Sequence, residues 1–155
     1  MSSETITTAL FLITAVIAAG VLINAVYPVI YEMAGTFSST THESDTRMRT
    51  DFKVISAVAS GSTVQIWMKN IGSEPIPLES ITKSDVFLGA VGSFERLTYD
   101  TDWNAEILPP DDNDVWETGE TVEITADIDL TGVNRVYFQF SLPNGVWRSH
   151  EFAVS

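Results

Sequence analysis

The chain has 155 residues and a formal net charge of -13 at pH 7, with 21 Asp and Glu against 8 Lys and Arg. This acidity argues against a nucleic-acid partner, because nucleic-acid binding requires a basic footprint. The absence of cysteine excludes a disulfide framework, a thiolate metal site and a cysteine nucleophile.

The first predicted element is a transmembrane or assembly helix at residues 1–34. The 27 residues between Glu4 and Glu32 carry no charge, and a helix of that length spans about 40 Å, more than the hydrocarbon core of a bilayer. A cleaved secretory signal is disfavoured, because the run is too long and no Lys or Arg precedes it. The positive-inside rule gives no orientation, since the first basic residue is Arg47.

Small residues within the apolar run form two pairs spaced four residues apart, Ala15 with Ala19 and Gly20 with Asn24. Small residues at this spacing let helix backbones approach closely, and an Asn can hydrogen-bond across the contact. Such residues are also frequent in membrane helices generally. The four positions are therefore predicted to pack against another helix, with a simple lipid anchor as the alternative.

Residues 35–50 form a predicted polar stem or a frayed helical continuation, since GTFSSTTHESDT is hydroxyl-rich and has no apolar stripe. Beyond this, residues 51–155 contain seven predicted strands: DFKVISAV, TVQIWMKN, SDVFLGA, FERLTYD, ETVEITADI, NRVYFQFSL and GVWRSHEFAV. Seven short strands without intervening helices are typical of an antiparallel sandwich. The predicted fold is an N-terminal transmembrane α-helix followed by an all-β immunoglobulin-like β-sandwich.

The last two predicted strands flank Pro143-Asn144-Gly145, and Asn-Gly is a strong hairpin signal. With a two-residue loop, Leu142 pairs with Trp147 and Phe140 with Ser149. That register separates apolar from polar side chains poorly. Either a bulge shifts it, or the hairpin is partly apolar on both faces, as a sheet that contacts a partner would be.

The sequence predicts no enzyme and no cofactor. Its only histidines are His42 in the stem and His150 in the last strand, and no nucleophile elbow, phosphate loop or zinc spacing accompanies them. Within the acidic segment 100–120, Asp111, Asn113 and Glu117 offer oxygen ligands for calcium. Their spacing lacks the ligand order and turn glycine of a calcium loop, so a solvated acidic loop is the preferred interpretation.

Two tryptophans, Trp67 and Trp147, are the predicted interface residues. Alternation in TVQIWMKN places Trp67 on the face opposite Val64 and Ile66. An exposed tryptophan commonly anchors a protein interface. The alternative is that other parts of the domain cover Trp67.

Several segments together resemble one protein family. The run ALFLITAVIAAGVLINAVYPVIYEM after Glu4 is followed by RMRTDFKVI, VQIWMKNIGSEPI, WETGETVEIT and FQFSLPNGVW. In combination they are similar to the archaellum accessory protein G family, membrane-anchored components of the archaeal motility apparatus. Archaellins and type IV pilins resemble the chain in the helix. Archaellins, however, are processed after a short basic leader, and here no basic residue precedes Arg47.

The resemblance implies a non-enzymatic stator component in the archaeal cytoplasmic membrane. It would be a single-pass protein with its β-domain in the pseudo-periplasmic space beneath the surface layer. The implied partners are an accessory protein F-like protein, further copies of the chain, and membrane lipid through the helix. The alternatives are a filament-forming archaellin- or pilin-like subunit and a surface-exposed module that binds calcium or glycan.

Overall fold

A computed structural model describes residues 2–110 and 113–154. The chain divides into two compact units, Met1–Glu43 and Ser44–Ser155. The described elements are α1 (Ser2–Arg49), β1 (Phe52–Ser60), β2 (Thr63–Asn70), β3 (Ile76–Pro77), α2 (Leu78–Thr82), β4 (Asp85–Ala90), β5 (Ser93–Leu97), β6 (Trp103–Leu108), β7 (Val115–Trp116), β8 (Thr121–Asp127), β9 (Arg135–Ser141) and β10 (Trp147–Ala153).

Helix α1 contains the predicted membrane segment. Its most apolar window has a mean hydropathy of 2.5 and is fully exposed within the chain, so its length and composition suffice to cross a membrane. Glu4 lies in its first turn and Arg47 and Arg49 in its last, where the helix dipole favours those charges.

The same helix continues through the hydroxyl-rich residues for which the sequence predicts a stem. There Thr40 donates to the carbonyl of Thr36 at 2.9 Å and Thr41 to that of Phe37 at 2.7 Å. These hydroxyls are therefore satisfied inside the helix and do not need to break it. The division of residues 1–50 into membrane helix and stem stays a prediction.

Two four-stranded antiparallel sheets form the β-sandwich of the second unit. One has the order β1-β2-β8-β6 and the other β10-β9-β4-β5, while β3 and β7 form a two-stranded pair. In β2, Val64, Ile66 and Met68 are buried and the residues between them are not, which confirms the alternation read from the sequence. The predicted all-β sandwich is therefore confirmed.

Aromatic rings join the two sheets in the core. Phe140 of β9 lies edge-on to Phe52 of β1, with ring centroids 5.5 Å apart, and to Trp103 of β6, at 6.4 Å. Edge-to-face contacts of this kind add to the stabilisation from apolar burial. These contacts hold the inner faces of the sheets together.

Strand β6 corrects the prediction that the whole acidic segment 100–120 is a loop. Its residues alternate, with Trp103 and Ile107 buried and Asn104 and Glu106 exposed. The apolar side chains enter the core, so the strand forms despite the acids around it. The pair β3 and β7 was also absent from the seven predicted strands.

The final hairpin has a three-residue loop. The amide of Leu142 donates to the carbonyl of Val146 at 2.9 Å, and Gly145 has φ +80°, the left-handed conformation that ends such a loop. Trp147 consequently pairs with Ser141. This is one residue away from the register expected for a two-residue loop.

Candidate partner-binding surfaces

The end of α1 is bonded to the loop at residues 70–74. A helix end leaves carbonyl groups without partners inside the helix. Here the carbonyl of Arg49 accepts hydrogen bonds from the amides of residues 73 and 74 at 2.9 and 3.2 Å, and that of Asp51 accepts from residues 71 and 72 at 3.0 and 2.8 Å. We call residues 46–51 together with loop 70–74 the junction.

Asn70 and Gly72 determine the conformation of the junction loop. The buried Asn70 amide donates to the carbonyls of Glu74 and Trp116 at 3.0 and 2.9 Å, and its side-chain oxygen accepts from the amide of Gly72 at 3.0 Å. A Cβ atom on Gly72 would lie 2.5 Å from the amide nitrogen of Asp51. Only glycine therefore allows this close approach.

An open cavity of about 650 Å³ lies beside the start of β10. Met48 and Trp147 line it and are 86% and 51% exposed, and the guanidinium groups of Arg47 and Arg148 lie at the same cavity. Arg148 pairs with Asp51 at 2.6 Å. Exposed Trp, Met and Arg together are the composition that protein interfaces favour, so this surface suits a protein partner.

Trp67 lies elsewhere, on the outer face of the sheet β1-β2-β8-β6. It is half-buried and pairs across the strands with Ser56 and Glu123. Gln65 donates to the same Glu123 carboxylate at 2.8 Å. The two predicted anchors, Trp67 and Trp147, therefore belong to different sheets and do not form one surface, and their role as anchors stays a prediction.

An aromatic cluster on the outer face of the other sheet was missed by the sequence prediction. Phe94 of β5 lies 4.6 Å from Tyr137 of β9 and 6.3 Å from Phe87 of β4, measured between ring centroids. Gly89 is the cross-strand partner of both Phe94 and Tyr137. A Cβ there would lie 2.6 Å from Phe94 Cα. The glycine thus leaves room for the cluster, and only the strand pairing brings these rings together.

Charge is unevenly distributed over the sandwich. Residues 97–134 contain 11 Asp and Glu and no Lys or Arg, whereas residues 52–70 contain two Lys and no acid. On the sheet β1-β2-β8-β6, Lys53 pairs directly with Lys69, and Glu106 directly with Glu123. Like charges opposite one another are unfavourable within a sheet, and an opposite charge placed nearby would relieve each pair.

The proposed calcium ligands are only partly described. Asp111 lies outside the described residues. The side-chain oxygen of Asn113 accepts from the amide of Val115 at 2.8 Å, and the amide of Glu117 donates to the Glu120 carboxylate at 2.8 Å. Among residues 2–110 and 113–154, no group of three or more His, Cys, Asp or Glu could hold a metal ion. The solvated acidic loop stays the preferred prediction, with a calcium site as its alternative.

The predicted packing residues of the membrane helix, Ala15, Ala19, Gly20 and Asn24, all lie exposed on α1. At about 100° per residue, the Ala15–Ala19 pair and the Gly20–Asn24 pair point about 140° apart. They would thus form two separate small-residue faces. A Cβ on Gly20 would meet nothing within 4 Å in this chain, so no contact inside the chain requires glycine there. Packing at these positions stays a prediction.

Comparison with known proteins confirms the resemblance at the level of the family. An uncharacterized protein of Archaeoglobus fulgidus is 26% identical over 161 residues, covering 99% of both chains. Two solved structures from Sulfolobus acidocaldarius share the fold. The archaellum periplasmic stator protein FlaG matches with a TM-score of 0.56 and 22% identity, over 66% of this chain and 99% of its own. The FlaF and FlaG stator complex matches with a TM-score of 0.55 and 21% identity, over 65% of this chain and 87% of the matched chain.

One family model covers nearly the whole sequence. The model of archaeal-type flagellin matches residues 2–152, and so includes both the apolar helix and the β-sandwich. The chain belongs to the archaeal-type flagellin family.

Proposed function

We propose that this protein is a membrane-anchored structural component of the archaellum, acting as a stator outside the membrane. The observation that carries the proposal is the fold of the second unit, which matches the periplasmic stator protein FlaG over 99% of that chain. The apolar helix supports it, since its length and composition suffice to hold the protein in lipid.

The proposed location is the archaeal cytoplasmic membrane, crossed once by α1, with the sandwich in the pseudo-periplasmic space beneath the surface layer. The matching FlaG of Sulfolobus acidocaldarius is a periplasmic stator protein, which supports this orientation. The net negative charge of the sandwich would keep it solvated in a saline space, while charge alone does not decide the orientation.

The proposed partners are a FlaF-like protein, further copies of the chain, and lipid. The solved complex of FlaF with FlaG supports the first of these. The exposed Trp147 and Met48 at the cavity beside β10 offer a surface for such contacts. The small-residue pairs of α1 offer another contact between copies within the membrane.

A stator must resist torque, and the junction supplies a suitable connection within the second unit. Four backbone hydrogen bonds attach the carbonyls of Arg49 and Asp51 to loop 70–74. A salt bridge from Arg49 to Glu74 at 3.6 Å and a hydrogen bond from Asn144 to the Thr50 hydroxyl at 3.0 Å add to it. The last turn of the helix is therefore fixed to the sandwich, and the proposed role requires no catalytic group.

A filament-forming subunit is the second candidate, because the matching family model is described as flagellin. Amino-terminal sequencing of the native protein separates the two. The stator proposal predicts that the amino terminus of the native protein is not processed, so that Glu4 and the apolar run are retained. A start at the end of a removed leader supports the filament subunit instead.

Deletion of the gene tests the proposed role in the cell. We expect the deletion strain to lose swimming, and the full chain expressed from a plasmid to restore it. A variant lacking residues 2–34 should not restore swimming, because it has no anchor. A deletion strain that swims normally contradicts the proposal, and so does rescue by the chain without its helix.

A further inference from the structure

We propose that copies of this chain associate side by side through opposite open edges of the sandwich. The edge formed by strands β1 and β10, the β1/β10 edge, would contact the edge formed by β6 and β5, the β6/β5 edge, of the next copy. This inference rests on the self-association in the proposed function, and it identifies the surfaces that carry it.

The topology leaves an open edge on each side of the sandwich. β1 and β6 are the outer strands of one sheet, and β10 and β5 those of the other. β1 contacts β10, and the Asp51–Arg148 pair links their starts at 2.6 Å. On the other side, β5 leads directly into β6 through the turn at residues 98–102. Each side therefore presents two strands that pair with one neighbouring strand only among the described residues. The exception is the start of β6, where Trp103 is hydrogen-bonded to the turn at residues 98–102.

Strand direction allows opposite edges to pair. All pairings inside both sheets are antiparallel, so the two outer strands of each four-stranded sheet run in opposite directions. When a copy is shifted sideways without rotation, its β1 lies antiparallel to the β6 of its neighbour. Its β10 likewise lies antiparallel to the neighbour's β5. Both sheets could then continue from copy to copy with antiparallel hydrogen bonds, interrupted on β1 by the irregularity between Val54 and Ser56.

Like edges could also pair antiparallel around a two-fold axis. Strand direction alone therefore does not decide between pairing of opposite edges and pairing of like edges. Charge distinguishes the two arrangements. The β1/β10 edge carries Lys53 and Arg148, with Lys69 directly beside Lys53. The β6/β5 edge carries Glu106 and Glu95, and both are exposed. Pairing of like edges would bring like charges together, whereas pairing of opposite edges brings opposite charges together.

Several other charges on these edges already have a partner within their own copy, and Arg148 is one of them, since it pairs with Asp51 at 2.6 Å. Glu151 on β10 pairs with Arg135 at 3.3 Å. Arg96 on β5 pairs with Asp85. These pairs leave Lys53 on one edge and Glu106 on the other without an ion pair among the described residues.

Apolar side chains accompany the charges on both edges. On β1, Ile55 and Val58 are 53% and 41% exposed, and on β5 Phe94 is 47% exposed. From strand length and a spacing of about 10 Å between sheets, the contact would bury about 500 Å² on each copy. That total of about 1,000 Å² is at the lower limit for a specific interface. Association in solution should therefore be weak, and anchoring in one membrane would strengthen it by raising the effective concentration.

The two contacting surfaces differ, so the contact is heterologous. Contacts of this type extend into rows or close into rings, whereas a two-fold contact stops at a dimer. We therefore expect species larger than a dimer that grow with concentration. We also expect them to dissociate as salt rises, because the attraction is between exposed charges.

The test uses the full chain in detergent, with its assembly measured by sedimentation at low and high salt. Lys53→Glu and Glu106→Lys each reverse one edge and should each weaken association about tenfold or more. An equimolar mixture of the two variants should restore it, because every contact in an alternating row again joins opposite charges. Two control variants should associate normally. They are Lys53→Arg, which keeps the charge, and Glu43→Lys, which changes the net charge in the other unit.

The outcomes separate this inference from the proposal beneath it. If either single variant associates normally, the assignment of the edges is wrong, although self-association stands. The same holds if the mixture associates no better than the variants alone. A native chain that stays monomeric at all concentrations overturns both. The single variants distinguish opposite-edge contact from a two-fold contact of like edges. A like-edge contact already joins like charges, so reversing Lys53 or Glu106 alone would leave it joining like charges and would not weaken association.

Discussion

Replacing Gly72 by alanine tests whether the junction holds the end of α1 in the sandwich. The added Cβ would lie 2.5 Å from the amide nitrogen of Asp51, and closer still to the carbonyl oxygen of Arg49. Both contacts are with backbone atoms, so no side-chain rotation can relieve them. Loop 70–74 must move by about 1 Å to reach an ordinary contact distance.

That movement would weaken the four backbone hydrogen bonds of the junction. With a net contribution of about 1 kcal/mol each, the loss of two to four of them predicts a decrease of about 2–4 kcal/mol in the free energy of unfolding. Overpacking costs of about 1–3 kcal/mol are of the same order. The variant should therefore be clearly less stable than the native chain.

Urea unfolding of the full chain in detergent, monitored by tryptophan fluorescence, measures the change in the free energy of unfolding. The signal reports on the second unit, since all four tryptophans belong to it. Gly132→Ala is the matched control: Gly132 has φ +78° with nothing within 4 Å of a Cβ. It should cost only about 1 kcal/mol for the left-handed backbone. A loss for Gly72→Ala no larger than for this control would refute the account of the junction.

Three other outcomes follow from the same structure. Asn70→Ala removes three hydrogen bonds of a buried side chain and should lower the free energy of unfolding by about 2–4 kcal/mol in the same assay. The side-chain and backbone hydrogen bonds from Thr131 lower the pKa of Asp129, so Thr131→Val should raise that pKa in an NMR titration. Because the folded state favours the carboxylate, this small stabilisation is present above the ordinary pKa and is lost as pH falls through the lowered one. Added calcium should leave the melting temperature unchanged, and a rise would instead show that the folded chain binds calcium.

The elements predicted correctly are those whose pattern is local. The uncharged run in α1 and the alternation in β2 depend only on residues close in sequence. Strand β6 was missed because its acidic surroundings obscured a short alternation. Its burial depends on contacts such as that of Trp103 with Phe140, far away in sequence.

The features that were not predicted depend on tertiary structure. The hairpin register follows from a three-residue loop in which Val146 is buried opposite Leu142, and Asn-Gly alone does not determine that length. The cluster around Phe94 requires three strands to pair in one register. The junction likewise requires loop 70–74 to meet the end of a helix more than twenty residues away in sequence.

The most direct test of the central proposal is where the protein is found in the cell. Filaments are sheared from the cells, and the amount of this chain is measured in the filaments and in the membranes by quantitative mass spectrometry. A membrane-anchored stator should stay with the membranes and be released by detergent, and the filaments should contain none above background. Recovery of the chain as a stoichiometric component of the sheared filaments would contradict the stator assignment and establish a filament subunit.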